Sequence, residues 1–501
     1  IFIYCIGLPS TKSPIPMKKF LFVLCLFPIS VWAQVDVPLI RSDFKAAEFT
    51  ARRNEIIRQI GSEGIAVLKG APSPRGFTRF RQTNEFYYLS GIEVPHAILV
   101  MDGNTKQSFL FLPNRNEARE RSEGKMLSAE DADWLRDTQE FDGVYSTDLF
   151  AEWLGRVARR GKPYTLWTPF QPGEGFAESR DMGLRVHADL YSDPWDGRPS
   201  AENRFISLLK ERFPMFELRD LNPTMDEMRL IKSPAELELI KKSTFLSGLA
   251  LMESMRSVQS GMKELELDAV AKFIFYREGA IGDAYYSLVA SGHNAFFPHY
   301  NAGQRIMKDG DFLLMDYAPD YGYYMSDVTR MFPVNGKFSP WQRELYGFYL
   351  ACYKAILKHI KPGQTASQVR AKAVVEMEAL LEKTTFSKPE YEKGARNFVF
   401  TYRAGSFNAF TTLGHGVGMA THDVGSYNGP LKPGMVFTIE PALRVPEEMI
   451  YIRLEDMIVI TETGADILSD FVPMEIEEIE RLMAESGILQ TYTRTTAGIK
   501  R

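Results

Sequence analysis

Residues 312–332 read FLLMDYAPDYGYYMSDVTRMF, and this stretch predicts the strand pair on which the fold is built. An apolar run ends in Asp316, and a second β-rich run at 323–332 carries Asp327 inside it. Tyr321-Gly322 lies between the two runs, and glycine favours a tight two-residue turn. A hairpin centred on that turn places Asp316 directly opposite Asp327, with Cβ atoms about 5 Å apart. Two like charges held this close need a neutralising partner, and a divalent cation can supply it.

A second pair of β-rich runs repeats this arrangement of acids. Residues 436–440 form an apolar run that ends in Glu440, and residues 450–460 predict one long strand that contains Glu455. Because side chains alternate along a strand, Arg453 and Glu455 should point to the same face. The chain therefore carries a carboxylate at corresponding places in two predicted strand pairs.

A histidine framed by glycines lies between these two pairs, in Gly414-His415-Gly416-Val417-Gly418. Glycine lets a backbone approach a site closely. Each candidate alone has an ordinary structural explanation, such as a turn, a loop cap, an ion pair or a core histidine. Together they suggest two divalent ions, because four carboxylates and one imidazole are mostly hard ligands that suit manganese, iron or cobalt, with zinc possible. The candidate ligands are Asp316, Asp327, His415, Glu440 and Glu455.

The composition excludes several classes of protein. The 501 residues include 59 Lys and Arg against 64 Asp and Glu, for a net charge of -5, which argues against a nucleic-acid-binding protein. The cysteines Cys5, Cys25 and Cys352 form no CxxC pair, which excludes a zinc finger or a redox dithiol. A chain of this length can bury cores large enough to fold without disulfides.

Residues 17–33 have the pattern of a secretory signal peptide. Two lysines follow Met17, an apolar run covers 20–27, and the small residue Ala33 ends the segment. The apolar run is too short for a membrane-spanning helix, which needs about 20 residues. We expect export to the periplasm or secretion, with cleavage near Ala33 and with 1–16 as an upstream segment. A buried amino-terminal strand or anchor is the alternative.

The rest of the chain divides into two predicted domains. Residues 34–222 mix strands and helices and predict a smaller α/β domain, whereas 223–501 place strands and helices in blocks, which is typical of α+β proteins. Capping boxes with a following proline at Ser233 and Ser339 predict helices that run to about residues 258 and 359. Other predicted elements are helices at 43–60 and 367–382 and strands at 65–68, 97–101 and 108–112.

At these residues the sequence resembles the pita-bread metallopeptidases, within them the aminopeptidase P and prolidase branch. The matching motifs, in chain order over about 225–483, are Ser291-Gly292, His299-Tyr300, Leu314-Met315-Asp316, Ser326-Asp327-Val328-Thr329-Arg330, Gly414-His415-Gly416-Val417-Gly418, Thr438-Ile439-Glu440-Pro441 and Arg453-Leu454-Glu455-Asp456. A weaker resemblance in the first half rests on Arg81-Gln82, Asn84, Phe86-Tyr87-Tyr88-Leu89 and Ser90-Gly91. The resemblance implies a carboxy-terminal pita-bread (creatinase/aminopeptidase-like) catalytic domain and a smaller α/β amino-terminal creatinase-like domain.

The resemblance also implies a role for each candidate ligand. Asp316 would bind one ion through both oxygens, and Asp327 and Glu455 would bridge two ions. His415 and Glu440 would hold the other ion, and Glu440 would also move protons between water and the leaving nitrogen. Manganese is often the metal in this family, and cobalt, iron or zinc are possible.

Three further residues match catalytic positions of the family. His299 and His422 would bind substrate and stabilise the tetrahedral oxyanion. Arg453 would fix the hydrogen bonding near Glu455. The branch hydrolyses the bond between an amino-terminal residue and proline, so we expect an exported Xaa-Pro aminopeptidase that acts on peptides and forms dimers or tetramers, with no nucleic-acid partner and no stable membrane span. A prolidase that cleaves only Xaa-Pro dipeptides, and a metal-free peptide-binding scaffold on the same fold, are the alternatives.

Two positions depart from the family pattern. Thr411 stands where the branch usually has a histidine, four residues before the metal histidine. The usual Asp-Ala-Gly after the first ligand is Asp316-Tyr317-Ala318 here, and the bulky Tyr317 is expected to narrow the pocket. Both departures bear on substrate preference and leave all five ligands in place.

Overall fold

The computed structural model describes residues 40, 42–161, 164–404 and 413–491. They belong to one compact unit, Leu39–Arg501. The predicted signal peptide and Thr411 lie outside the described residues, and the predicted boundary between the two domains stays a prediction. None of the helices in the described ranges combines the length and the apolar character that a membrane crossing needs.

In the described part of the first half, a six-stranded mixed sheet forms the centre. Neighbouring strands across the sheet are Gly143–Ser146, Gln107–Leu112, Ile98–Asp102, Gly64–Lys69, Thr165–Thr168 and Glu217–Asp220. The three middle strands pair antiparallel and the outer ones pair parallel. Alternate residues of Gly64–Lys69 enter two different apolar cores, Ala66 on one face and Val67 on the other. Strands covered on both faces are continuous apolar runs, which is why the sequence predicted three of them correctly.

Helices cover this sheet. The predicted helix at 43–60 is confirmed as Ala46–Ile60 and packs Phe49 and Ile56 into the core. The other helices of this half, including short 3₁₀ turns, are Asn84–Ser90, Glu117–Glu123, Ala129–Asp131, Ala132–Gln139, Thr147–Leu149, Phe150–Ala158, Arg180–Ser192, Ala201–Arg212 and Asn222–Leu230.

The long helices of the second half begin where the sequence predicts. Ser233 and Ser339 both form capping boxes, and their helices are Pro234–Ser257 and Pro340–Leu357. The remaining helices are Glu264–Arg277, Gly292–Phe296, Ala366–Lys383, Pro389–Ala404, Pro446–Glu448, Ile476–Met483 and Ile488–Thr491. Ser233 Oγ accepts from the Glu236 amide at 3.3 Å, and the Gln342 side chain accepts from the Ser339 amide at 2.8 Å. Such bonds satisfy amide groups at a helix start, which makes the signal readable from local sequence.

The described strands of the second half form small antiparallel sheets. One sheet contains Thr329–Pro333, Phe312–Asp316 and Leu288–Ser291; another contains Val436–Ile439, Asp456–Ile460 and Ala465–Ile467; two pairs are Ala442–Val445 with Ile450–Arg453 and Gly282–Asp283 with Pro319–Asp320. An isolated bridge between Thr329 and Glu455 joins the first two sheets. Strands and helices occur in blocks, as expected for the α+β class.

The predicted register of the first hairpin is wrong by two residues. Asp316 pairs with Thr329, and Asp327 lies before the paired strand begins. The turn is Gly322-Tyr323, with φ of 57° and 72°, between the bridged residues Tyr321 and Tyr324. A two-residue turn of this kind needs positive φ at both central positions. Gly322 occupies the first position, where the sequence analysis expected it to occupy the second, and Tyr323 occupies the second.

Tyr323 tolerates its left-handed backbone because its side chain is held from both sides. Its ring stacks on Tyr87 with centroids 3.5 Å apart, and its hydroxyl donates to Glu93 at 2.6 Å. These contacts with the first half offset the cost of positive φ in a non-glycine residue. They depend on tertiary structure, which is why local sequence placed the turn one residue too early.

The second predicted strand is also corrected. Residues 450–460 break at Leu454-Glu455 into Ile450–Arg453 and Asp456–Ile460, which pair with different partners. Arg330 holds this break by donating to the Glu455 carbonyl at 2.9 Å and to the Asp456 carboxylate at 2.7 Å. Glu455 therefore lies where two sheets meet, and not in the middle of one ladder.

A buried ion pair joins the first half to this hairpin. Arg81 donates to Asp320 at 2.6 Å, and the two side chains are 3% and 0% exposed. Arg81 also donates to Asn84 at 2.9 Å. A buried pair of this kind is sensitive to loss of one partner, because the remaining charge has no water to solvate it.

We predict that Asp320→Asn lowers the free energy of unfolding by about 3–5 kcal/mol, because it leaves the Arg81 guanidinium buried without a counter-charge. Urea denaturation followed by fluorescence measures this change. Asp309→Asn, at an exposed site before the strand Phe312–Asp316, serves as the matched control and should change little. Equal stability of the two variants would contradict the importance of the pair.

Candidate metal centre

The acids of the first hairpin meet at one tyrosine hydroxyl. Tyr285 Oη lies 2.6 Å from Asp316 Oδ1 and 2.7 Å from Asp327 Oδ1, so the two carboxylates are close although they are not paired across the ladder. Tyr285 precedes the strand Leu288–Ser291, in which Leu288 pairs with Asp316. The sequence analysis missed Tyr285, because only the pairing of distant strands brings it here.

The glycine-framed histidine faces the same point. His415 Nε2 lies 3.3 Å from Glu440 Oε1, 3.5 Å from Asp327 Oδ2 and 3.9 Å from Glu455 Oε1. The other ring nitrogen, Nδ1, lies 3.2 Å from its neighbour's carbonyl, that of Gly416. A carbonyl only accepts, so Nδ1 carries the proton and Nε2 is left as a ligand.

The glycine before this histidine is required by close packing. A Cβ at position 414 would lie 2.0 Å from the Thr438 carbonyl oxygen, and the Thr438 amide donates to the His415 carbonyl at 2.9 Å. The loop therefore lies directly against the strand Val436–Ile439, which ends one residue before Glu440. This contact sets the position of the imidazole relative to that carboxylate.

Arg453 supplies positive charge beside these acids. Its guanidinium contacts Asp316, lies 3.3 Å from Glu440 and lies 4.0 Å from Glu455. Thr329 donates to Glu455 Oε2 at 2.7 Å. The other oxygen, Glu455 Oε1, is buried and has no hydrogen-bond partner among the described residues.

The charges of the cluster are not balanced by the protein alone. Burial raises the pKa of Asp327 well above its ordinary value, and the Glu455, Asp316 and Glu440 carboxylates raise it further. Burial and Glu440 raise the pKa of Glu455 in the same way. Like charges in a buried site favour the neutral acid, and a bound cation reverses that preference.

The donor set fits a divalent metal. One ligand atom from each of Asp327, His415 and Glu455 lies within 4.8 Å of the others, and the unpartnered Glu455 oxygen is available as a ligand. Burial lowers the pKa of His415, so its imidazole is neutral, as a metal ligand must be. All five predicted ligands therefore converge, and their roles as ligands stay a prediction.

Of the two predicted substrate histidines, His422 lies directly beside the cluster. The rings of His422 and His415 have centroids 4.3 Å apart. Burial lowers the pKa of His299, with Arg453 contributing, and Asp316 acts in the opposite sense, which places this imidazole within electrostatic reach of the cluster. Both histidine side chains are exposed enough to meet a substrate.

His422 has a partner that the sequence analysis missed. Its Nδ1 lies 3.0 Å from Oδ2 of Asp181, which follows the helix start at Arg180 in the first half. Burial opposes protonation, but the hydrogen bond and charge of Asp181 raise the pKa of His422 above its ordinary value. Asp181 lies 241 positions away in sequence, and no local signal points to it.

Tyr317 does not narrow the cleft as expected. The ring is 1% exposed and packs against Phe275 at 5.2 Å and against Tyr285 at 6.3 Å between centroids. Tyr317 directly follows the strand that ends at Asp316, and its buried ring supports Tyr285.

Comparisons with known proteins match both halves of the chain. The model of "Metallopeptidase family M24" matches residues 238–462, and that of "Aminopeptidase P, N-terminal domain" matches 49–167. The chain is 30% identical over 462 residues to the Xaa-Pro aminopeptidase of Escherichia coli K12, covering 88% of this chain and 98% of the relative.

Solved structures give the same result. The structure is similar to aminopeptidase P from E. coli with the inhibitor Pro-Leu, at a TM-score of 0.71 and 28% identity over 88% of this chain and 99% of that one. It is also similar to proline aminopeptidase P II from Yersinia pestis, at a TM-score of 0.71 and 29% identity over 88% and 100%. These matches confirm the predicted pita-bread fold class.

We predict that Asp327→Asn weakens binding of Mn²⁺ by more than about 100-fold, since loss of a mere supporting partner of a ligand already costs about 10- to 100-fold. Titration calorimetry on the metal-free protein measures this. The metal-free variant should be at least as stable as the wild type, because one of several repelling charges is gone.

Asp466→Asn removes an exposed charge and is the control, with unchanged metal affinity expected. Full metal affinity in Asp327→Asn would remove this residue from the ligand set.

Proposed function

The chain belongs to metallopeptidase family M24 and to its aminopeptidase P branch, and from that premise we propose that it is a Xaa-Pro aminopeptidase with a dinuclear metal site. The chain is a hydrolase of peptides, as its family is. The names of its relatives support the finer assignment, cleavage between an amino-terminal residue and proline. The single observation that carries the proposal is the convergence of the predicted ligands: Asp327, Glu440 and Glu455 surround His415, and Tyr285 joins Asp316 to Asp327.

We propose that two divalent ions, most often manganese in this branch, are held by the five ligands. Asp316 would hold one ion, His415 and Glu440 would hold the other, and Asp327 and Glu455 would be shared between the two. Four carboxylates match the charge of two such ions. When bound, divalent ions polarise the scissile carbonyl and lower the pKa of a water so that hydroxide is present at neutral pH.

Glu440 is the best placed carboxylate for proton transfer. Its side chain is 26% exposed, whereas that of Glu455 is 1% exposed, so substrate and solvent reach Glu440. Its Oε1 lies 3.4 Å from Thr438 Oγ1 and its Oε2 lies 3.3 Å from Arg453, which hold it at the edge of the cluster. A carboxylate in this position can accept a proton from water and return it to the leaving nitrogen.

His299 and His422 would bind the scissile carbonyl from the open side of the cleft. Imidazole N–H groups aimed at the oxygen on which charge develops stabilise the transition state. Arg453 keeps Asp316 and Glu440 in fixed positions relative to each other. The bond before proline is a tertiary amide without an N–H, so a pocket shaped for the ring can select it.

We expect the purified protein with Mn²⁺ to release the first residue of a tripeptide that has proline in second position. The same tripeptide with alanine there should react much more slowly, because it lacks the ring. Mass spectrometry of the products measures both reactions.

The corresponding Xaa-Pro dipeptide separates the alternatives. Turnover of the dipeptide alone would identify a prolidase. No bound metal and no turnover of either peptide after metal reconstitution would support the metal-free scaffold.

We also propose that the protein is exported, on the sequence of residues 17–33 alone. A charged start, a short apolar run and a small residue before the cleavage point support this. Intact-mass measurement of the protein from its native host should give a chain that begins near Gln34. A chain that retains Met17 would contradict export by cleavage. Assembly into dimers or tetramers stays a prediction.

A further inference from the structure

A residue of the first half reaches the catalytic cleft. Asp181 Oδ2 lies 3.0 Å from His422 Nδ1, and the His422 ring lies 4.3 Å from the ring of the ligand His415. The side chains of Asp181, His422 and His415 are thus in consecutive contact from the helix Arg180–Ser192 to the metal cluster. Neither the motifs nor the family roles described above include Asp181.

Asp181 is held in place by its neighbours. Ser179 Oγ donates to Asp181 Oδ1 at 2.5 Å. The adjacent Arg180 is the buried residue of this helix and contacts Glu85 at 2.8 Å and Glu174 at 3.3 Å. The first turn of the helix is therefore anchored in a buried ion-pair network, although most of its later residues are exposed.

His422 is anchored through the residue that follows it. The Asp423 side chain is 1% exposed and contacts Arg229 at 2.5 Å and Lys232 at 2.9 Å. Arg229 also contacts Glu174 at 2.6 Å, so the network that holds the Asp181 helix also holds the His422 loop. Both partners of the Asp181–His422 contact are positioned by one buried set of charges.

The Asp181–His422 contact can orient the imidazole ring, but it contributes little to the stability of the fold. The Asp181 and His422 side chains are 52% and 44% exposed, and exposed pairs contribute little to the free energy of folding. A carboxylate that accepts from Nδ1–H of an imidazole fixes the ring plane, and when both ring nitrogens are protonated it leaves the Nε2–H free to donate to a reacting oxygen.

We propose that Asp181 is a positioning residue of the active site, which fixes the ring of His422 so that Nε2 is presented to the substrate carbonyl. This proposal rests on the proposed function. It assigns to the first half of the chain a direct part in orienting the catalytic groups, through a residue 241 positions away from its partner.

The test compares Asp181→Ala and Asp181→Asn with Asp189→Asn, an exposed acid about two turns further along the same helix. With a Xaa-Pro-Yaa tripeptide, Asp181→Ala should lower kcat about 10- to 100-fold with little change in KM, because the lost orientation acts in the transition state. Asp181→Asn should recover part of the loss, since its amide oxygen still accepts from Nδ1. Asp189→Asn should behave as wild type, and all variants should keep the wild-type unfolding midpoint.

A double-mutant cycle shows whether Asp181 acts through His422. In a His422→Ala background, Asp181→Ala should lower kcat no further. An equal loss with and without His422, or no loss in either, would overturn the proposal.

Ring nitrogen shifts give a readout that does not depend on turnover. In the zinc-loaded protein, ¹⁵N spectra of labelled histidine should show Nδ1 of His422 as a protonated, hydrogen-bonded nitrogen in the wild type, and Asp181→Ala should lose this signature. An unchanged Nδ1 signal in the variant would contradict the proposal. If the wild type cleaves no proline peptide, the proposed function fails, and the Nδ1 measurement still decides the role of Asp181.

Discussion

Four carboxylates share one largely buried cleft, and their mutual repulsion is the constraint on which the rest of the site depends. Arg453 offsets part of this charge by contacting Asp316 and Glu440. The remaining negative charge must be offset by bound cations or by protons. Without a cation, burial and the neighbouring carboxylates favour protonation and raise the pKa of Asp327 and Glu455. A protein can hold such a cluster only on a backbone that does not relax, because moving the acids apart would relieve the repulsion.

The rigid backbone comes from the meeting of two sheets. Arg330 is fully buried, forms an ion pair with Asp456 at 2.7 Å and also donates to the Glu455 carbonyl. Tyr353 donates to the other oxygen of Asp456 at 2.8 Å. Because Asp456 is satisfied on both sides, the strand break beside it is fixed, and Glu455 is directed into the cleft.

The first half of the chain contacts the segments that carry the predicted site residues. The Arg81–Asp320 pair and the Tyr87–Tyr323 stack attach it to the acid-bearing hairpin, and a second network through Arg229 and Asp423 attaches it to the His422 loop. Each attachment ends within a few residues of a ligand or substrate residue. The geometry of the site therefore depends on both halves, and the Asp181 contact extends that dependence to the orientation of His422, a predicted substrate-binding residue.

The sequence by itself determined many of the elements and named the candidate ligands that the fold brings together. Capping boxes, continuous apolar strands and a histidine framed by glycines are signals within a few residues, and all of them predicted structure that is present. The register of the hairpin, the break at Glu455 and the partners Tyr285 and Asp181 were decided by tertiary structure alone. The reason is physical: the positive φ of Tyr323 is stabilised by Tyr87, the break is fixed by Arg330, and the histidine is oriented from 241 residues away. Local sequence specifies which groups are available, and only long-range packing specifies which of them meet.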